Sequence, residues 1–379
     1  MIATLHPTFE TIAAADWDRC LPGEAESYAY YRACHGREGG TVPVAVTVAQ
    51  AGRIIAVAPV MGLSYRLDTS LQGPLRRFTD WLNRCRDGLL RIDVIGLGSE
   101  LAERCHIGFD PDLSEADKAG AFAAMMHGLR HHAYQSGTGL VMVKDLAAPD
   151  EPLLGPVLQH QGYQRVNSLP VAVLDVAGSE ADYLACLSSA TRKDIRRKLK
   201  TSTQMTVEQR HDISTIAGEI EALYEHTRLN SRFDYDELET LPAGYFGTLS
   251  KTLGERAVFM LYRIDGTLIG FNLLLVEPHR VIDKFFGMRY PVGPQHNLYA
   301  VSWMTNVRFC IDRHISLLQT GQTAYAAKLR YGSRLVGSSL YFHHRNRLLN
   351  GVLRLAAPWL AFDRQDPDLR HLPRHTEVR

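Results

Sequence analysis

Residues 257–288 read AVFMLYRIDGTLIGFNLLLVEPHRVIDKFFGM. Two apolar runs, Ala257–Ile264 and Leu268–Glu277, meet at Asp265-Gly266, a dipeptide that tolerates the positive φ angles of a two-residue hairpin turn. Val281–Met288 continues the meander as a third strand. Two charges, Asp283 and Lys284, interrupt it, and strand alternation sends one to each face. Beyond the loop Arg289–His296 an apolar pattern predicts a helix from Asn297 to about Arg313. Strand Ile315–Gln319, a short helix near Thr323–Arg330 and strand Val336–His343 follow.

Upstream, the same order of elements recurs. A hairpin pairs Val42–Ala49 with Ile54–Leu63 across Gln50-Ala51-Gly52-Arg53. Pro74–Arg86 reads as a helix, and Arg91–Ile95 as a strand entering Gly96-Leu97-Gly98-Ser99. A long helix runs from Ser114 to about Gln135, with Ser114 as N-cap, Asp117 at N3 and Gly137 as its stop. Strand Leu140–Lys144, helix Pro152–His160 and a long strand Tyr163–Val176 close this half. The stretches 121–175 and 300–345 share element order without residue identity. The chain is therefore expected to hold two similar α/β units, 1–178 and 179–362, bridged by a helix Ser179–Leu199. Leu348–Phe362 is amphipathic and helical, and the charged, proline-containing residues 363–379 read as a flexible tail.

The 379 residues are 45% hydrophobic and 22% charged, a globular composition. With 42 Lys+Arg against 41 Asp+Glu, a protein that coats DNA is excluded; a local basic patch is not. Six scattered cysteines form no C-x-x-C pair, which argues against a zinc ribbon or a redox pair. The histidine pairs His131-His132 and His343-His344 diverge on helix or strand, so no metal site is expected. No G-x-S-x-G elbow or Walker A motif occurs. No run approaches the ~20 apolar residues of a membrane span, and the N-terminus has no secretion-signal pattern. The expectation is a cytoplasmic protein.

Three stretches carry a resemblance. Tyr183 to Lys198 contains Leu187-Ser188-Ser189-Ala190-Thr191-Arg192-Lys193-Asp194-Ile195-Arg196-Arg197-Lys198; Asp265 to Phe271 forms a dG-x-x-x-G hairpin; Leu318 to Gly332 ends in Tyr325-Ala326-Ala327-Lys328-Leu329-Arg330-Tyr331-Gly332. Together they resemble the GCN5-related N-acetyltransferase superfamily, and more narrowly its FemAB-like, BioF2-like branch of tandem units. The resemblance is good over about 180–345, weaker over 40–175 and absent in the tail. It implies an α/β fold of two tandem acetyltransferase-like units, each a mixed, mostly antiparallel sheet flanked by helices. It implies catalysis in residues 179–362, with the first half as scaffold on the acceptor side.

The implied reaction is N-acyl transfer to a small-molecule or precursor amine. The donor would be an acyl-thioester of CoA or of acyl carrier protein, used as co-substrate, with no permanently bound cofactor. The Fem branch implies an alternative, aminoacyl-tRNA as donor for peptide-bond formation. A non-catalytic binding module of the same fold is a further alternative. Such chemistry needs a base for the amine, a donor to polarise the carbonyl and a proton for the leaving group. Asp283 on a central strand suits the base, although a structural salt bridge would use it equally well. Tyr325 suits the leaving group, or is simply a packed aromatic, and Lys328 one turn on suits a phosphate or a developing charge. Donor phosphates are expected at Arg289, Gly293 and Asn297, and at Arg192 and Arg196 within a run of six cations between Arg192 and Lys200. The loop Arg289–Asn297 departs from the superfamily, because its two prolines offer no N–H to a pyrophosphate. Arg232 and Asp234 are expected to line the acceptor pocket.

Overall fold

The computed structural model describes residues 1–35, 42–66, 91–230, 241–360 and 366–370. Its strands are β1 Ile2–His6, β2 Ala45–Gln50, β3 Arg53–Arg66, β4 Arg91–Leu97, β5 Gly108–Phe109, β6 Leu140–Ala147, β7 Gln164–Asn167, β8 Val171–Asp175, β9 Thr206–Arg210, β10 Ala257–Ile264, β11 Thr267–Val276, β12 Arg280–Met288, β13 Leu317–Gly321, β14 Arg334–Val336 and β15 Ser338–His344. Local signals act as the sequence implies. Ser114 accepts a hydrogen bond from the Asp117 N–H at the start of helix Glu115–Ser136, and Gly137 ends that helix at φ 81°. Asp265 and Gly266, at φ 47° and 77°, turn the β10–β11 hairpin.

The strands form two mixed sheets, ordered β1-β2-β3-β4-β6-β15-β7, with β5 beside β3, and β14-β8-β13-β12-β11-β10-β9. Each is antiparallel except at one pair, β4 with β6 and β12 with β13. The expected α/β class, two mostly antiparallel sheets flanked by helices, is borne out. Each sheet also takes a strand from the other half. The single strand expected over Tyr163–Val176 is broken at Ser168-Leu169-Pro170, so that β7 edges the first sheet while β8 lies between β13 and β14. The strand expected over Val336–His343 breaks at Gly337, leaving β14 beside β8 and carrying β15 between β6 and β7. The sheets thus exchange strands across residue 178.

Helix Glu115–Ser136 buries Phe122, Met125, Met126 and Leu129 against the first sheet. Helix Leu298–Asp312 sets Val301, Met304 and Val307 against Val258, Met260, Leu274 and Val281 of the second. The opposite face of the second sheet, with Phe259, Phe271 and Ile282, packs with Trp17, Tyr30 and Tyr31 from the start of the chain. Burial of that area, at roughly 25 cal/mol per Å² of apolar surface, ties the halves together.

Two other expectations are corrected. The bridging helix is two helices, Glu180–Cys186 and Ser189–Thr201, because the Ser188 hydroxyl accepts from the Thr191 N–H and starts the chain's helix anew. Within the expected tail, Pro367–Arg370 is helical, and Asp368 accepts a hydrogen bond from the Ala326 N–H. The helix expected over Pro74–Arg86 lies outside the described residues.

Candidate acyl-transfer site

β12 and β13 run parallel through three registered pairs, from Arg280–Leu317 to Ile282–Gln319, and then part. Leu317 lies at the closed end. Opposite the parting, β12 has a bulge against β11: Leu273 pairs with Phe285 and Leu274 with Asp283, leaving Lys284 unpaired. Alternation sends the two charges to opposite faces. Asp283 faces helix Leu298–Asp312, whereas Lys284 points to the first half and pairs with Glu26 at 2.6 Å. The Lys284 side chain is only 4% exposed, yet the residue as a whole is half-buried, so its accessible part is main chain. An open backbone at a strand parting is a polar surface that can meet a ligand.

The Asp283 carboxylate accepts from the Asn272 amide at 2.8 Å and from the Asn306 amide at 3.0 Å. Tyr262 donates to the other end of Asn272 at 2.9 Å. Burial nevertheless pushes the Asp283 carboxyl up to about 7, the Glu103 carboxylate adding to the effect and the amides and Lys328 opposing it. Lys328 is 7% exposed and donates to the Gln322 carbonyl at 2.7 Å. Its burial lowers the ammonium to about 8 against the attraction of Glu103 and Asp283. Asn306 Oδ1 and the Tyr299 hydroxyl, on the helix facing Asp283, are buried with no hydrogen-bond partner among the described residues. Such atoms leave polar capacity for a ligand.

Glu103 arrives from the first half. Its carboxylate accepts from Gln319 Nε2 at 2.8 Å and from the Gln322 N–H at 3.0 Å. It fits because residue 321 is glycine: a Cβ there would stand 2.5 Å from Glu103 Oε1, and the φ of +84° itself suits glycine. Charge also ties β12 to the first half through Arg280, which reaches Glu24 at 2.8 Å and Glu277 at 2.8 Å.

The sequence-expected residues divide. Asp283 and Lys328 lie within electrostatic reach of one another near the parting. Tyr325, in the helix Tyr325–Arg330, is fully buried with its hydroxyl proton on the Pro170 carbonyl at 2.7 Å, so it braces the crossover between β7 and β8. Arg192 is engaged locally: its Nη1 donates to the carbonyls of Ala185 at 3.2 Å and Leu187 at 2.5 Å, closing the end of helix Glu180–Cys186. Arg196 is exposed on the same side of its helix as Lys193 and Lys200. Arg197, Lys198 and Arg330 instead surround Asp194 at 2.8, 2.9 and 2.7 Å.

In the loop after β12, Arg289 is exposed. Gly293 is needed for packing, since a Cβ there would meet Met288 Sδ at 2.8 Å. Its N–H, and those of Gln295, His296 and Asn297, already donate to carbonyls within the loop. Asn297 caps helix Leu298–Asp312 at φ 54° and donates its side-chain amide to Thr201 at 3.1 Å. The loop is therefore folded on itself, ahead of the 15-residue helix that follows it. Arg232 and Asp234 lie outside the described residues.

Sequence reasoning did not find Glu103, Asn272 or Asn306. The two asparagines had a signal, each being a lone amide in an apolar element (Phe271-Asn272-Leu273 and Met304-Thr305-Asn306-Val307). Glu103 lies in a polar loop and had none. Among the described residues no group of three or more His, Cys, Asp or Glu side chains is placed to hold a metal ion.

No family model matches the sequence, and no curated protein matches it either. Solved structures do. FemX superposes with a TM-score of 0.52 at 11% identity, covering 82% of this chain and 90% of FemX. The fold is that of FemX. The C-terminal domain of a candidate lysylphosphatidylglycerol synthetase from Agrobacterium fabrum matches with a TM-score of 0.52 at 12% identity, covering 90% of this chain and 96% of that one. The FemAB-like resemblance is thus borne out at the level of the fold.

Proposed function

We propose that this chain is an acyltransferase that moves an acyl group onto an amine at the parting of β12 and β13. The observation that carries the reading is the juxtaposition there of a carboxyl pushed up to about 7 and an ammonium lowered to about 8. Two titratable groups driven toward neutrality from opposite sides suit proton transfer near physiological pH. The amine nitrogen attacks the carbonyl carbon, the C–N bond forms, and the C–S or C–O bond to the carrier breaks. The amine proton passes to Asp283, whose Asn272 and Asn306 partners fix its orientation. The Lys328 ammonium stabilises the oxyanion or returns a proton to the leaving group. Main-chain N–H at the open stretch of β12 polarises the carbonyl.

The leading donor is an acyl-thioester of CoA or acyl carrier protein, its phosphate meeting Arg289 and the start of helix Leu298–Asp312. A second reading, aminoacyl-tRNA, is favoured by the internally bonded loop and by the exposed Lys193, Arg196 and Lys200 on one helix face. Purified protein incubated with acyl-CoA, acyl carrier protein or charged tRNA and an amine should discharge one donor onto the amine. Activity that survives RNase removes the tRNA reading. Discharge of none of them leaves a binding module and refutes the enzyme.

A further inference from the structure

Among the described residues, helix Arg347–Leu360 packs against the edge of the first sheet through Leu353 and Ala357, which meet Val166 and Phe342. Successive residues turn about 100° around a helix, so Leu348, Val352 and Leu355 fall in one stripe turned away from that contact, and Leu349 lies between the two faces. They are 82, 60, 74 and 47% exposed, respectively. A surface helix ordinarily places polar residues on that face. The charge around the stripe is of one sign. Arg345, Arg347 and Arg354 are exposed, and no Asp or Glu occurs between Asp312 and Asp363. Among the described residues these three arginines make no ion pair.

We propose that this helix seats the protein in the plane of an anionic lipid surface. The stripe enters among the headgroups and the flanking arginines meet lipid phosphates, their stems lying along the apolar boundary. Charge complementarity selects this occupant, because the arginines beside the stripe have no acidic neighbours in sequence and suit the phosphates of an anionic surface. The helix has 14 residues, enough to lie on a bilayer and too few to cross it.

Co-sedimentation of the full chain with vesicles tests the proposal. Vesicles of phosphatidylglycerol and phosphatidylcholine in equal parts should bind it at least tenfold more tightly than phosphatidylcholine alone, and high salt should erase the difference. Leu348→Asp with Leu355→Asp should weaken binding tenfold or more. Arg347→Glu with Arg354→Glu should weaken it on anionic vesicles only. These side chains are exposed, so a thermal melt unchanged from wild type verifies that both variants fold. Absence of binding to anionic vesicles, or full binding by both variants, overturns the proposal. So does a dimer in sedimentation velocity that the leucine variant dissolves.

Discussion

In the first sheet β4 and β6 run parallel from Val94–Leu140 to Leu97–Val143, and the space beyond them is filled. Gly98 closes over the Lys144 carbonyl, the Cys105 N–H donates to the Asp145 carbonyl at 2.9 Å, and Lys144 pairs with Asp145. Ser99, Ala102, Cys105 and Asp145 are all buried. In the second sheet the equivalent space beyond β12 and β13 is bordered by the half-buried Asp283, Lys284, Phe285 and Phe286. Topology is shared; side chains are not. The loop that plugs the first parting also delivers Glu103 to the second. Among the described residues, the candidate site at β12 and β13 thus takes one wall from the first half of the chain.

That contrast can be broken at four points. Asp283→Asn keeps the volume and one of the two buried hydrogen bonds, and the second returns when the Asn306 amide turns its Oδ1 to the new N–H. The base is lost, so turnover should fall 10²–10³-fold with a smaller effect on folding, as single-turnover kinetics and a thermal melt would record. Lys328→Met should cost tenfold or more in kcat, about 1.4 kcal/mol or more of transition-state stabilisation, with kcat and KM measured separately. Glu103→Gln should lower turnover only several-fold but move the pH profile. Its carboxylate raises both Asp283 and Lys328, so neutralising it lowers both and shifts the rising and falling limbs toward acid. An unmoved profile would detach Glu103 from the site. Tyr325→Phe should change turnover less than threefold while destabilising the fold by about 1 kcal/mol, since its hydroxyl serves the Pro170 carbonyl. A large kinetic defect there would restore tyrosine as the proton donor.

Much of this was legible in the chain. The Asp265-Gly266 turn, the Ser114 cap and the Gly137 stop are local chemistry, and they appear where the residues dictate. The separation of Asp283 and Lys284 to opposite faces followed from strand alternation. The strand exchange was not legible, because Ser168-Leu169-Pro170 and Gly337 mark a break without saying which sheet the next segment joins. The local bonds of Arg192 were not legible either: a cation in a dense run shows its partners only once the carbonyls of the preceding helix end are in place. Alternation did not say what Lys284 would meet on its face: Glu26, 258 residues away in sequence, pairs with it in the interior. Long-range pairings of this kind leave no spacing to read.

The pH dependence of kcat/KM for amine acylation, measured on wild type and on Asp283→Asn, tests the central claim most directly. For wild type the rate should rise through about pH 7, as Asp283 loses its proton, and fall above about pH 8, as Lys328 loses its charge. The variant should lose the acid limb together with most of its rate. A wild-type profile flat across this window, or a variant that keeps the acid limb, would contradict assignment of transfer to the parting of β12 and β13.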